Sequence, residues 1–248
     1  MDIVDKAFIK HSYAGEDSVK EYSDATRAVS LWKSEEIVFE RYLKTADKIL
    51  DLGCGTGRVA FGLVEKGYNN ISGVDLSEDM IAEAKKICRQ KQIDIPFYTG
   101  DATDLAFEEE SFDAVIFAFN GIMQIPGETN RLKSMAEIAR ILKKDGVFIF
   151  TTHDRDKEKD NESYWKQEKY LWNKNRQDRR LVEFGDLIYS FHDREMFIHV
   201  PDREEVLKCL AANNLLLLED IFRDEIVQEN DIVKEFADEC RFWIVKKQ

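Results

Sequence analysis

One stretch, KILDLGCGTGRVAFGLVEKG from Lys48 to Gly67, constrains the fold more than any other part of the sequence. It opens with an apolar run to Leu52 that is typical of a short buried strand. Glycines then stand at every second position: Gly53, Gly55 and Gly57. A helical pattern follows from Arg58 to Lys66. Such a turn lets a ligand approach bare backbone, and we expect it to meet free N–H groups that favour a carboxylate or phosphate.

Strands alternate with helices from residue 30 to residue 154. Strands are predicted at Lys48–Leu52, Ile71–Leu76, Pro96–Gly100, Phe112–Phe119 and Gly146–Thr152. Helices are predicted at Ser30–Lys44, Arg58–Lys66, after the capping residue Ser77, and at Glu128–Leu142. This alternation indicates right-handed crossovers. The predicted fold class is therefore α/β, a doubly wound, mostly parallel sheet covered on both faces.

The pattern changes after residue 154. The segment Arg155–Arg180 is polar, dotted with aromatic residues and locally basic, with nine Lys and Arg against six Asp and Glu. Two alternating segments, RRLVEFGDLIYSF and REMFIHV, predict antiparallel strands joined near His192 and Asp193. A helix at Asp202–Asn213 and the strands LLLLEDIF and CRFWIVKK complete the chain. We interpret 1–248 as one domain with N-terminal lid helices (1–45), a cofactor-binding core (46–154), a substrate-side insertion (155–200) and a C-terminal part (201–248).

The composition limits which classes of binding partner we expect. The net charge of −13 disfavours a general grip on nucleic acid or on an anionic membrane, both of which need clustered Lys and Arg. Four separated cysteines without a CxxC pair suggest neither a zinc site nor a disulfide framework. The N-terminal residues lack an apolar signal core, and no run approaches the roughly 18 apolar residues of a membrane span. We therefore expect a cytoplasmic protein with a small-molecule partner; the oligomeric state is left open.

Two carboxylates follow predicted strands. Asp75 ends the second strand, 18 residues after Gly57, where an acceptor-only group can take both hydroxyls of a ribose. Asp101 ends the third strand, where it can accept from an adenine amino group. Either residue alone could be a helix cap or a turn former. Because the carboxyl ends of parallel strands share one edge, their combination with the glycine turn predicts a nucleoside site.

Together these motifs resemble the class I S-adenosylmethionine-dependent methyltransferases. The matching segments are ILDLGCGTGR, GVDLSEDMI, GDATDL, FDAVIFAFNGIMQI and EIARILKKDGVFIF. The resemblance covers roughly residues 30–154 and, more loosely, the two C-terminal strands. It implies a seven-stranded sheet whose last strand is antiparallel, with an inserted antiparallel and helical lid. It also implies S-adenosylmethionine as cofactor, S-adenosylhomocysteine as product and no metal.

The resemblance assigns residues to parts of the cofactor. It places Asp51, Gly53, Cys54, Gly55 and Gly57 around the methionine portion, Asp75 on the ribose, Leu76 and Met80 against the adenine, Asp101 and Ala102 at the adenine edge, and the backbone of Ala118 and Phe119 near the amino group. Substrate-side candidates are Tyr13, Tyr22, Trp32, Asn120 and Met123. Each of these also fits packing or turn formation.

The catalytic residue stays open. In-line methyl transfer relies on proximity and desolvation, so neither a metal nor a covalent residue is required. His153 is a weak candidate for a base, with His192 and His199 weaker, since a lone histidine is more often structural. The aromatic set Tyr164, Trp165, Tyr170 and Trp172 could line an acceptor pocket, although packing within the insertion fits better.

Three functions are compatible with these features. The favoured one is methyl transfer to a nitrogen or oxygen of a small molecule, with the insertion as lid and wall. The first alternative is a tRNA-modifying methyltransferase, suggested by the basic segment within 155–180. The second is a non-catalytic S-adenosylmethionine-binding or nucleotide-binding protein. A dehydrogenase is disfavoured because GxGxG is not the GxGxxG dinucleotide fingerprint.

Overall fold

The computed structural model describes residues 3–157, 162–191 and 193–248. The helices are α1 (Lys6–Ser12), α2 (Glu16–Ala28), α3 (Lys33–Tyr42), α4 (Arg58–Glu65), α5 (Glu78–Lys91), α6 (Glu128–Ile141), α7 (Glu162–Asn173), α8 (Arg203–Ala212), α9 (Arg223–Ile226) and α10 (Asp231–Phe236). The strands are β1 (Ile49–Leu52), β2 (Ile71–Asp75), β3 (Phe97–Thr99), β4 (Phe112–Phe117), β5 (Leu142–Thr152), β6 (Asp186–Phe191), β7 (Arg194–His199), β8 (Leu215–Phe222) and β9 (Arg241–Lys247).

Seven strands form the main sheet in the order β3-β2-β1-β4-β5-β9-β8. The pairings among β1 to β5 are parallel, whereas β9 pairs antiparallel with both β5 and β8. The separate hairpin β6–β7 is also antiparallel. These pairings confirm the predicted fold class, and the order reverses between β1 and β4, where such sheets bind ligands.

The two faces of the sheet bury different side chains of the same strands. Ile49 packs into the layer that contains α3, α4 and α5, whereas Leu50 and Leu52 pack into the layer that contains α6 and α8. This follows from the period of two in a strand. It also directs Asp51 to the first layer, where its Oδ2 accepts from the Ala60 N–H of α4 at 3.1 Å.

Two strand boundaries in the parallel part of the sheet differ from the sequence prediction by two residues or more. Strand β4 was predicted to reach Phe119 but ends at Phe117, because Phe119 and Asn120 take left-handed φ angles of 51° and 59°. Strand β5 begins at Leu142 rather than Gly146, since α6 passes directly into it. The register pairs Phe112 with Leu142 and Ala114 with Val147, so an irregularity between these pairs accommodates three additional residues in β5.

All four cysteines have free thiols, and Cys54, Cys88 and Cys240 are buried. In the described part of the chain, every helix is too short or too polar to cross a lipid bilayer.

Candidate functional site

An open cleft of about 850 Å³, a volume that includes adjoining solvent, lies at the carboxyl ends of β1, β2 and β4. Residues that end the strands form its floor: Leu52, Gly53, Val74, Asp75, Leu76, Phe117, Ala118 and Phe119. Met80 of α5 and the β3 extension Gly100–Ala102 form one wall. Helix α1 closes the opposite side through Ile9 and Lys10, and Tyr13 follows it. The topology therefore brings the predicted strand-end residues into one cavity.

The three glycines of the turn serve different purposes. All have left-handed φ angles, between 53° and 94°, which side chains rarely adopt. A Cβ at Gly57 would come within 3 Å of the rings of Phe61 and Phe97, so that glycine permits packing. A Cβ at Gly55 would meet no protein atom within 4 Å, because Gly55 faces the cleft. Only Gly55 combines an unhindered direction with a cavity wall.

The expectation of free N–H groups in this turn is wrong for three residues. The Cys54 N–H donates to the Val74 carbonyl at 3.0 Å, and the Gly57 N–H donates to the Cys54 carbonyl at 2.8 Å. The Gly55 N–H donates to Asp75 Oδ2 at 2.7 Å. The turn satisfies these donors internally, so it offers a ligand shape at these positions rather than free donors.

Asp75 links the turn to the next helix. Its Oδ2 accepts from Gly55, and its Oδ1 accepts from the Ser77 N–H at 2.8 Å. Burial raises the pKa of Asp75, and these backbone donors partly oppose that rise. Each carboxylate oxygen has a second lone pair, so the group retains capacity to accept from two hydroxyls of a ligand.

Asp101 is held in place by two partners. It accepts from Lys6 of α1 at 2.9 Å and from the backbone and hydroxyl of Thr103 at 2.8 Å. Burial would raise the pKa of Asp101, but these hydrogen bonds outweigh it and lower the pKa. Lys10 of α1 pairs with Glu78 of α5 at 2.7 Å. Two ion pairs, from Lys6 and from Lys10, therefore hold helix α1 over the cleft.

A smaller chamber of about 460 Å³, again including adjoining solvent, continues from the cleft. The two share Tyr22, Gly53, Gly55, Ala118 and Phe119. The chamber also contacts Asp51, Cys54 and Arg58. Burial raises the pKa of Asp51 to about 8, although the nearby Arg58 opposes the rise. Arg58 itself forms a buried two-pronged pair with Glu35 of α3, with both N···O distances 2.7 Å.

Aromatic rings surround Phe119 at the edge of the chamber. Phe236 of α10 stacks on it with ring centroids 5.3 Å apart, and Trp32 and Tyr22 meet it edge-on at 5.6 and 6.4 Å. Tyr13 in turn meets Tyr22 at 6.0 Å. The left-handed backbone at Phe119 turns its ring into this cluster. Tyr22 and Phe236 line the chamber, whereas Trp32 supports Phe119 from behind.

Asn120, Met123 and His153 lie together behind the cleft. The His153 ring bonds Asn120 Nδ2 through Nε2 at 3.2 Å and the Glu239 carbonyl through Nδ1 at 2.8 Å. With this amide orientation, Nδ1 donates to the Glu239 carbonyl and Nε2 accepts from the Asn120 amide. Both nitrogens are occupied, and none of the three residues lines the cleft or the chamber. The structure therefore places them as supports of the β4 and β5 ends.

The insertion contributes less to the cleft than the sequence suggested. Trp165 and Trp172 contact Phe184 edge-on, while Tyr164 and Tyr170 are exposed. Packing thus accounts for the two tryptophans. His199 is buried and bonds Asp186 at 2.8 Å, and His192 lies outside the described residues. Among the described residues of 155–200, none lines the cleft or the chamber.

Sequence reasoning missed several wall residues. Ile9, Lys10 and Phe236 line the cleft or the chamber without a motif that marks them. Gln124 and Ile125 end the matching segment FDAVIFAFNGIMQI and line the cleft, although no role was predicted for them. Phe236 is on a helix of six residues between two strands, too short for a recognisable period. Ser77 was identified only as a helix cap, and its position next to Asp75 also brings it to the cleft.

Comparisons with known proteins agree with this geometry. Residues 49–146 match the methyltransferase domain family model. The ubiquinone/menaquinone biosynthesis C-methyltransferase UbiE of Campylobacter jejuni is 31% identical over 141 residues, 52% of this chain and 57% of that protein. The demethylmenaquinone methyltransferase of Staphylococcus haemolyticus is 29% identical over 121 residues, 48% of each chain. This chain spans about half the length of the first curated relatives that it matches.

Solved structures match over more of the chain. A SAM-dependent methyltransferase of Methanosarcina mazei superposes with a TM-score of 0.70 at 19% identity, covering 88% of this chain and 99% of that one. The [4+2]-cyclase SpnF superposes with a TM-score of 0.66 at 15% identity, covering 100% and 97%. At these identities the similarity establishes the fold.

Proposed function

We propose that the chain, whose residues 49–146 match the methyltransferase domain family, is a class I S-adenosylmethionine-dependent methyltransferase that binds S-adenosylmethionine in the cleft and transfers the methyl group to a small-molecule acceptor. The observation that carries the proposal is Asp75, whose carboxylate stands at the end of β2 beside the open face of Gly55. A ribose fits there because two acceptor oxygens match its two adjacent hydroxyls.

The remaining contacts follow from that placement. Leu76 and Met80 form the apolar wall for the adenine, with Asp101 and Ala102 at its edge. The chamber beside Asp51 receives the methionine portion, and Ala118 and Phe119 border it. Gly53 and Cys54 belong to the same chamber wall, whereas Gly57 acts through the packing of the turn.

The chain's own residues account for the chemistry by position and by charge. When bound, S-adenosylmethionine supplies a methyl group activated by a sulfonium cation. Asp51 lies in the chamber that would hold this cation, and its buried carboxylate becomes easier to ionise beside a positive charge. The rings of Phe119, Phe236 and Tyr22 exclude water from the same place. These residues orient and desolvate the reactants.

We propose a small acceptor because the net negative charge of the chain disfavours a polyanionic macromolecule. A chain of net −13 repels a polyanion over most of its surface. The tRNA-modifying alternative has less support than the sequence suggested, since Arg180 of the basic segment already pairs with Asp178 and Glu195. The fold similarity to a cyclase is the reason to measure transfer as well as binding.

Replacement of Asp75 tests the proposal. Asp75→Ala should weaken binding of S-adenosylmethionine and S-adenosylhomocysteine by about 1.5 to 3 kcal/mol, the range for hydrogen bonds to a charged group. Isothermal titration calorimetry measures this, with circular dichroism to verify folding. Asp94→Ala, which removes an exposed carboxylate away from the cleft, is the matched control and should bind normally. Unchanged affinity in folded Asp75→Ala would refute the placement.

A further inference from the structure

A wide groove between α2, α10 and the start of β7 leads to the chamber. Its walls are Asp17, Lys20, Glu21, Asp24, Ala25, Ala28 and Val29 from α2 and the residue after it, Asp193 and Arg194 from the hairpin, and Ile232, Glu235 and Phe236 from α10. Ala25 and Phe236 also line the chamber. The groove and the chamber therefore meet at these two residues, which gives the methyl-donor end a route to solvent separate from the cleft.

The groove carries excess negative charge. Five carboxylates line it against Lys20 and Arg194, a net charge of −3. Arg194 pairs with Glu21 at 3.1 Å, and Lys20 approaches Asp24 at 3.9 Å. Within residues 3–157, 162–191 and 193–248, Asp17, Asp193 and Glu235 form no ion pair. A cation entering the groove would therefore meet uncompensated carboxylates.

The groove floor and its inner end are apolar and aromatic. Ala28, Val29 and Ile232 expose hydrocarbon to the groove, and Ile232 is 61% exposed. At the inner end Phe236 stacks on Phe119, with Tyr22 beside it. Aromatic faces attract cations as well as apolar groups. The groove thus presents carboxylates along its walls and aromatic rings at its inner end. This combination favours a cation with an apolar body.

We propose that this groove admits the methyl acceptor and that the acceptor is a small amine, cationic in solution, with an apolar body. The inference rests on the proposed function and specifies its substrate class. Next to the sulfonium, like-charge repulsion lowers the pKa of the ammonium, which loses its proton to water at the open groove. The nitrogen lone pair then forms the N–C bond, the S–C bond breaks, and its electron pair remains on sulfur. The methylated ammonium can leave by the same route.

The first experiment identifies the charge of the acceptor. The protein is incubated with methyl-labelled S-adenosylmethionine and, separately, with the cationic, neutral and anionic fractions of a protein-free metabolite extract from its source organism. After chromatographic removal of unreacted S-adenosylmethionine, which is itself a cation, label should be found in a product of the cationic fraction, and that product should remain on a cation exchanger. Label only in the neutral or anionic fraction overturns the amine inference and leaves the proposed function standing. Label in none, with S-adenosylmethionine still bound, overturns methyl transfer itself.

The second experiment tests the groove with charge-matched variants. Asp17→Lys with Glu235→Lys reverses two groove charges, whereas Glu16→Lys with Asp231→Lys makes the same change on the same helices outside the groove. With methyl-labelled S-adenosylmethionine and the cationic fraction as acceptor, the double variant in the groove should reduce kcat/KM for the acceptor at least about tenfold. It should leave affinity for S-adenosylmethionine unchanged, and the control pair should stay within twofold. Equal loss in both pairs would show a general field effect and reject the groove.

Discussion

At the scale of single residues, substitutions at Gly55 and Gly67 distinguish the effect of backbone strain from the effect of lost ligand contact. Both have left-handed φ angles, and a Cβ at either would meet no protein atom within 4 Å. Only Gly55 faces the cleft. Gly55→Val should therefore weaken S-adenosylmethionine binding beyond about 100-fold, roughly 2.7 kcal/mol, whereas Gly67→Val should bind normally. Calorimetry on both folded variants checks this, and equal affinities would assign Gly55 to the turn alone.

Asp51 gives a residue-scale prediction about pH. Its folded pKa of about 8 lies above the unfolded value near 3.9, so unfolding releases a proton between roughly pH 4 and pH 8. This residue therefore makes the protein less stable as pH rises through that window. Asp51→Asn keeps an acceptor for the Ala60 N–H and removes the titration. Relative to the parent, its urea midpoint should improve from pH 5 to pH 8; parallel pH curves would contradict the burial effect.

Residue positions were predictable where they follow from strand periodicity. Asp75 and Asp101 were assigned to the cleft because a parallel sheet collects its strand ends, and the structure places both there. Phe119 was identified too, but its left-handed backbone and its stacking on Phe236 were not. That contact joins residues 117 positions apart, so no local pattern reports it.

At the scale of elements, Glu229 supports the start of α3 from far along the chain. Its carboxylate is buried and accepts from the Lys33 and Ser34 N–H groups at 3.2 and 2.7 Å. Glu229→Ala leaves these donors without that partner, so it should cost about 1 to 2 kcal/mol, as other lost N-caps do. Urea unfolding measures the loss, and Glu229→Gln, which keeps an acceptor oxygen, should lose less. Identical stability of all three proteins would discount the cap.

Elements were predicted best where periodicity is long and flanked by clear stops. The strands from β1 to β4 and the helices α4 and α6 were found close to their observed bounds. The short helices α9 and α10 were missed because four and six residues are too few to show a period. The consequence was an incomplete site, since α10 supplies Phe236 and one side of the groove.

At the scale of the whole molecule, surface charge predicts weak binding to tRNA. Arg176 and Arg179 are exposed, but Arg180 is neutralised by two carboxylates on a chain of net −13. At about 0.15 M salt, filter binding should detect no tight tRNA complex. Replacement of both Arg176 and Arg179 by Glu should leave the measured tRNA affinity unchanged. Tight, salt-sensitive binding that this reversal removes would favour the nucleic-acid alternative.

The position of β9 has a consequence for synthesis of the protein. The last strand in sequence order lies between β5 and β8, with Trp243, Ile244 and Val245 fully buried. About 90 residues separate the end of β5 from β9, on the order of 5 to 20 s of translation. Throughout that interval β5 presents an unpaired edge to the cell, the kind of surface that recruits chaperones or aggregates. The nascent chain therefore depends on its last strand to become aggregation-resistant.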